Sequence, residues 1–433
     1  MYARRRFRFL VVAFGALLCL LVAAGAWAKP VTPAQAEQVA QNFVSYIVVR
    51  DGAWGASQAP EIAGVEPVYR DGVLIAFAAA VSPSGFVLVP AEEELPAVKA
   101  FSTSGPFEQR PGLFWDYVAL ELEELVSALR RDREVAAVFG PENRKLWERL
   151  DRSPSRFDAR AEAAPGVVSP ILLTSKWDQG DGSGSLYNNY CPQVSGVYCP
   201  VGCVATAAAQ IMRYWNYPTK GQGSHSYSWS GQTLSADFTK TYDWANMPDA
   251  LSIRSTQAQK AAVATLGYDL AVSVDMDFAP DGSGAYTVDV EDALENYFMY
   301  STDANVKSYT GSDSTWFPLF TAQVDAKRPL ELSIRGTSGG HAVVVDGYRT
   351  DTGNMVHINM GWGGASDGYY ALNDITGSWF SFKSVGDQYM VRDIHPGFEA
   401  TVTASPASGG APLTVNFSVN LTGGTGPFSY DWD

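Results

Sequence analysis

Apolar positions recur along this chain with two periods, and the changes of period mark out its elements. From Pro33 to Arg50, Ala36, Val39, Ala40, Phe43 and Ile47 recur at helical spacing, which predicts an amphipathic helix with one inward stripe. Three short runs of strand character follow, Val65–Tyr69, Leu74–Ala80 and Gly85–Pro90, separated by turns such as Arg70-Asp71-Gly72. Pro67 lacks an amide hydrogen and confines the first run to a sheet edge. Two charged helices are predicted next, Leu113–Glu134 and Glu142–Asp151. From Arg152 to Pro170 the chain is polar and rich in Pro and Ala, the composition of an exposed linker. The helical period returns at Val204, Ala207, Ala208, Ile211 and Trp215, in a helix that begins behind the turn Cys199-Pro200-Val201-Gly202 and that Pro218 stops. A buried strand follows Gly339-Gly340-His341, and Met355–Asn359 reads as its hairpin partner. Near the end, Ala400–Pro406 and Leu413–Phe417 alternate as strands around a Gly-Gly-Ala-Pro turn.

These shifts divide the chain into four parts, 1–28, 29–165, 166–397 and 398–433. The first reads as an export signal: Arg4, Arg5, Arg6 and Arg8 precede an apolar run from Phe9 to Ala24, and Ala26-Trp27-Ala28 offers a cleavage site. The run is too short for a membrane anchor, and Leu18 before Cys19 does not suit a lipid attachment site. The protein is therefore expected to be secreted and free of the membrane once the signal is cut. The last part is too short to close a β-sandwich and reads as a truncated one.

Removing the signal takes the net charge from −15 to −19, because the segment holds those four arginines and no acid. An acidic chain of this kind is a poor partner for nucleic acid. Three cysteines then remain, Cys191, Cys199 and Cys203. An odd count in an exported protein leaves one thiol over. Cys191 and Cys199 share a Cys-Pro context and either pair or stay free, which makes Cys203 the odd one. A zinc site from Cys191, Cys199, Cys203 and His225 lacks the C-x-x-C knuckle and would remove Cys203 from any other role. No cofactor or metal is expected.

Cys203 sits in the first turn of its helix, where unpaired N–H groups and the macrodipole favour a thiolate. A thiol nucleophile needs a base, an orienter for that base and donors for the oxyanion. His341 follows Cys203 by 138 residues and opens a strand behind two glycines. Asn359, 18 residues further on, is placed to orient the ring, with Trp362 to cover the bond. His357 shares a strand face with Asn359 and is the rival base, without glycines to clear its approach. The Cys203 amide is one oxyanion donor, and Gln179 in Trp177-Asp178-Gln179-Gly180 is the candidate for the second.

These segments resemble the streptopain-type cysteine peptidases, secreted bacterial relatives of papain. The matching stretches are Trp177-Asp178-Gln179, Leu186–Pro192, Val201–Ala207 with Ala209–Met212, Ser273–Phe278, Gly339–Ala342, and His357–Asn359 with Gly361–Gly364 and Asp367–Tyr370. The resemblance implies an α+β, papain-like peptidase domain with Cys203 as nucleophile, His341 as general base, Gln179 at the oxyanion hole and Asn359 as orienter. It further implies that Ser283, Gly284, Gly340 and Trp362 line the substrate cleft. Family members often carry Trp directly after the orienting Asn, whereas this chain has Met360. Gly72–Phe77, Gly85–Ala91 and Leu95–Ser102 resemble the family's inhibitory prodomain, an α+β unit. That resemblance implies a zymogen cut near Pro165–Val168, with its own prodomain as intramolecular inhibitor. Tyr430-Asp431-Trp432-Asp433 resembles the entry to a PKD-type sandwich. The expected activity is cleavage of peptide bonds in protein or peptide substrates. The rivals are a papain-like binding module without turnover, which would require a lost catalytic residue, and an acyl transferase or amidase using the same dyad.

Overall fold

The computed structural model describes residues 28–107, 114–132, 143–162, 166–180, 186–308, 313–336, 339–371, 389–410 and 412–423. Residues 1–27 of the export signal, Pro165 at the start of the expected Pro165–Val168 cut region, and the Tyr430–Asp433 motif lie outside them. The described residues form two compact units. One takes in the chain up to Pro83, Val87–Lys99 and Ala119–Ala163; the other takes in Ser84–Phe86, Ala100–Val118 and everything from Ala164 onward.

In the first unit, the predicted helix is Pro33–Asp51. Thr32 caps it by accepting from the Gln35 amide, Pro33 occupies its first turn, and Gly52 at φ 89° ends it in the left-handed region. Ala36, Val39, Ala40, Phe43 and Ile47 are all buried, and the helix packs on the antiparallel pair Glu61–Arg70 and Val73–Ser82. Pro67 lies on the outermost strand, where its missing amide hydrogen costs no ladder bond. The two charged helices appear at Phe114–Arg131 and 143–150. Lys99 and Glu121 form a buried ion pair of 2.7 Å.

The second unit is built on antiparallel strands in the order Ala100–Ser102, Gly368–Ala371, Met355–Asn359, Gly339–Arg349, Leu330–Gly336, Tyr389–Arg392 and Asn305–Ser308. Its first strand comes from N-terminal to residue 165, because Phe101 pairs with Tyr369 and Ala100 with Tyr370. The helix Cys203–Trp215 packs on Gly339–Arg349, and Gln257–Ser273 packs on that helix. Its stripe of Val204, Ala207, Ala208 and Ile211 joins a core with Leu266, Leu270, Ala342 and Val344. Trp215, expected in the stripe, is only half-buried at the helix end. The stop is made two residues before Pro218, by Asn216 at φ 48°, whose amide closes back on Arg213 and Met212.

Among the described tail residues, Phe398–Ser405 and Asn416–Gly423 pair as an antiparallel ribbon. No helix of the described residues is long and apolar enough to cross a membrane.

Candidate active site

The position of the candidate nucleophile, Cys203, begins with Gly202. Its φ of 88° lies in the left-handed region, and a Cβ there would meet the Met276 side chain at 2.8 Å and the Ser283 carbonyl at 3.1 Å. Only glycine allows the chain to turn into the helix so close to the neighbouring loop. Cys203 is then the first helical residue and half-buried. Burial pushes its thiol pKa up; the backbone N–H groups of Ala342, Val204 and Cys203 itself act in the opposite sense, and Glu331 adds to the rise. Desolvation outweighs those N–H groups, so the net shift is upward, opposite in sense to the helix-terminus effect expected from the sequence.

Gln179 is strapped between the segments that carry the reacting groups. Its N–H donates to the Gly361 carbonyl and its own carbonyl accepts from the Val201 N–H, both at 3.0 Å. Asp178 pairs with Trp362 in an isolated bridge. The backbone of Gln179 is thus fixed to the turn that presents Cys203, two residues ahead of the thiol.

His341 is 7% exposed, and its Nε2 lies 2.9 Å from the Met360 carbonyl oxygen. A carbonyl only accepts, so Nε2 carries the proton and Nδ1 keeps the lone pair. The Trp362 ring stacks on the imidazole, with centroids 4.6 Å apart and planes 19° from parallel. Burial pushes His341 down to about 4, against the opposing effect of the Met360 bond.

Asn359 does not touch this ring, a correction to the expected triad. The strand register sets Asn359 opposite Val344, three residues or about 10 Å along the strand from His341 and on the other face. Its side chain instead accepts from Gln210 Nε2 at 2.8 Å and from the Gly361 N–H at 3.0 Å, and donates to the Ser175 carbonyl at 2.8 Å. Gly361 N–H and Met360 C=O belong to one peptide group, so Asn359 lies one peptide removed from the candidate base. His357, the rival base, is ion-paired to Asp346 at 2.6 Å; burial presses its pKa down, but the carboxylate outweighs that and lifts it.

The other predicted cleft residues are partly assembled here. Ser283 abuts Gly202, and Gly284 is tied to Asp277 by two backbone hydrogen bonds of 2.9 and 3.1 Å. Gly340 is exposed, and a Cβ there would find only the Ile334 carbonyl, at 3.9 Å. Trp362 covers His341, and its indole N–H is buried without a hydrogen-bond partner.

A sequence profile of the Peptidase C10 family matches residues 177–370, the stretch that carries all of these groups. Streptopain of Streptococcus pyogenes is 30% identical over 318 residues, 69% of this chain and 74% of that protein. The chain belongs to the C10, or streptopain, family of cysteine peptidases. The thiol protease/hemagglutinin PrtT of Porphyromonas gingivalis is 30% identical over 372 residues, 82% of this chain and 40% of that one. A cysteine-to-alanine variant of a prointerpain A fragment from Prevotella intermedia matches with a TM-score of 0.59 at 29% identity, covering 77% of this chain and 98% of that one. The α+β, papain-like architecture with a prodomain is therefore the one this C10 peptidase shares with a solved relative.

Two residues of this C10 site escaped the sequence reading. Gln210 lies on the Cys203 helix and is fully buried, and its Oε1 accepts from Ser175 Oγ and the Trp177 N–H, both at 3.0 Å. The available signal was a long polar side chain inside the otherwise apolar stretch Val204–Met212. Glu331 is fully buried with no hydrogen-bond partner on either oxygen, so burial holds its carboxyl well above the usual range. Its signal was an acid between Leu330 and Leu332 in a strand. Cys191 and Cys199 are buried free thiols, and burial together with the neighbouring Cys199 pushes Cys191 up to about 12.

Proposed function

We propose that this peptidase is made as an exported zymogen and cleaves peptide bonds internally through a Cys203–His341 pair. The observation that carries the assignment is the His341 ring, whose Nε2–H donates to the Met360 carbonyl at 2.9 Å at the start of the strand that packs on the Cys203 helix.

Cys203 transfers its proton to His341 Nδ1 as sulfur attacks the scissile carbonyl carbon. The carbonyl π pair moves to oxygen, where the Cys203 N–H and Gln179 stabilise the oxyanion. Collapse expels the amine, which takes the proton from His341, and leaves a thioester. Water then attacks that thioester with His341 as base, releasing the acid and restoring the thiol. Trp362 shields the imidazole from bulk water.

Residues 1–28 are read as the signal, 29–165 as the inhibitory prodomain, 166–397 as the peptidase and 398–433 as the start of a PKD-like sandwich. The backbone supports a cut just before the peptidase begins. From residue 166 the chain is locked: Val167 exchanges hydrogen bonds of 2.9 Å with Thr350, and Ser169 donates to Tyr348 at 2.9 Å. At Gly166 a Cβ would meet the Asp351 backbone at 2.5 Å. Cleavage is expected near Pro165–Val168, at the start of this pairing.

The test is the intact mass of the full chain over time, beside Cys203→Ala and an epoxide-treated sample. Loss of the N-terminal part in the wild type alone supports self-processing by Cys203. If all three stay whole and no adduct forms on Cys203, the reading is wrong.

A further inference from the structure

The Asp367-Gly368-Tyr369-Tyr370 motif has no part in the chemistry above, yet its first residue reaches the base in two steps. Asp367 Oδ1 accepts from the Met360 N–H at 2.8 Å, and the Met360 carbonyl accepts from His341 Nε2–H at 2.9 Å. We propose that Asp367 is a positioning residue for the catalytic base: its carboxylate fixes the Met360 backbone and, through it, the ring of His341. The inference rests on the Cys203–His341 assignment made above.

The need for such a residue follows from where the sheet stops. Asn359 is the last partner of Val344, and Ile358 is the last partner of Gly368, so at Met360 the ladders no longer supply an acceptor. Beyond it come Gly361 at φ 69°, Gly363 at 65° and Gly364 at 90°, residues with weak conformational preferences of their own. The carbonyl that orients His341 therefore sits at the start of a glycine-rich loop. Two side chains pin that start: Asn359 holds the Gly361 N–H at 3.0 Å, and Asp367 holds the Met360 N–H. Asp367 is itself buried, and its own carbonyl accepts from Ser102 Oγ at 2.6 Å.

A charged acceptor makes a stronger hydrogen bond than a neutral one, so the ionised carboxylate is the form that pins best. Burial raises the Asp367 pKa to about 6; the Met360 N–H, His357 and Lys176 lower it, while Asp346 raises it. Burial raises the pKa of Tyr370, and Asp367 in turn adds to that rise. Acidification through this range weakens the pin without removing the residue.

The experiment measures peptide hydrolysis by the preparation obtained from the full chain, with rates expressed per Cys203 titrated by an epoxide. Asp367→Ala is expected to lower kcat about 10–100-fold with KM within about two-fold, because a displaced base slows chemistry and leaves binding intact. Asp367→Asn keeps a neutral acceptor oxygen; it should retain kcat within about five-fold at pH 7.5 and lack the wild type's acid-side fall near pH 6. A kcat for Asp367→Ala within two-fold of wild type overturns the proposal. If that variant does not fold, Asp367→Asn decides, and a pH profile superimposing on wild type overturns it equally. Cys203→Ala run alongside separates the two readings. Wild-type activity in Cys203→Ala sinks the active-site assignment. An inert Cys203→Ala with unaltered Asp367 variants sinks only this inference.

Discussion

The side-chain amides of Gln210 and Asn359 face each other: Gln210 Nε2 donates to Asn359 Oδ1 at 2.8 Å, and Asn359 Nδ2 lies 3.3 Å from Gln210 Oε1. Gln210 is seven residues along the nucleophile's helix. The same oxygen takes the Trp177 N–H at 3.0 Å, two residues before Gln179. One buried side chain thus ties the helix of Cys203 to the strand end beside the base and to the segment of the oxyanion candidate.

Replacing Gln210 by Ala removes the partner of Ser175 Oγ and of the Trp177 N–H and one donor to Asn359, which keeps its bonds to Gly361 and Ser175. A buried polar group without a partner costs about 1–3 kcal/mol, and water entering the vacated space offsets part of that, so a total loss of roughly 2–4 kcal/mol is expected. Urea unfolding checks the stability. Hydrolysis per titrated Cys203 should fall about ten-fold as the three segments lose register. A variant as stable and active as wild type would show that the network is incidental.

Gly202→Ala forces a non-glycine residue into φ 88° and drives a methyl to 3.1 Å from the Ser283 carbonyl. Backbone strain of this kind costs about 1–3 kcal/mol. The Met276 methyl end can swing aside; the carbonyl cannot. We expect lower stability by that amount and a displaced Cys203, read as slower epoxide inactivation.

Stability should depend on pH through His341. Its folded pKa of about 4 lies below the ordinary value of 6.5, so the unfolded chain binds the proton first. The contribution is fully present above pH 6.5 and is lost as pH falls toward 4, by roughly 3 kcal/mol. Asp367 and Glu331, with raised pKa values, act in the opposite direction, and their effect is common to wild type and variant. The difference in unfolding free energy between wild type and His341→Gln should therefore shrink across that window. A difference independent of pH would refute the burial argument.

The raised thiol pKa of Cys203 predicts how the full chain reacts with iodoacetamide. Labelling of Cys203 should be slow near neutrality and keep rising past pH 9, because the thiolate is the reacting form. A plateau already reached below pH 7 would instead reveal a preformed thiolate–imidazolium pair.

Much of this was legible in the residues themselves. Apolar period gave the helices at Pro33 and Cys203, with the Cys199–Gly202 turn marking the start of the second, because an apolar stripe and a turn are local properties. The proposed nucleophile Cys203, the proposed base His341 and Gln179 were singled out by residue type, chain order and resemblance. The orienter was not legible. Asn359 and His341 are 18 positions apart in sequence, but whether their side chains meet depends on register, and the pairing of Asn359 with Val344 places them apart. A one-residue difference in pairing reverses the face of every side chain, and nothing in the local sequence reports that number.

The sequence alone determined which groups are available: one thiol at a helix start, a histidine behind two glycines, and a glycine-rich turn after a strand. These follow from propensities and torsional limits acting over a few residues. The tertiary structure decided their state. Burial shifted the Cys203 thiol pKa up and that of His341 down, the Met360 carbonyl met His341 Nε2, and Gln210 and Asp367 were brought to Asn359 and the Met360 N–H. Desolvation and hydrogen-bond partnership depend on what packs against a group from distant parts of the chain, and only the folded register brings those parts together.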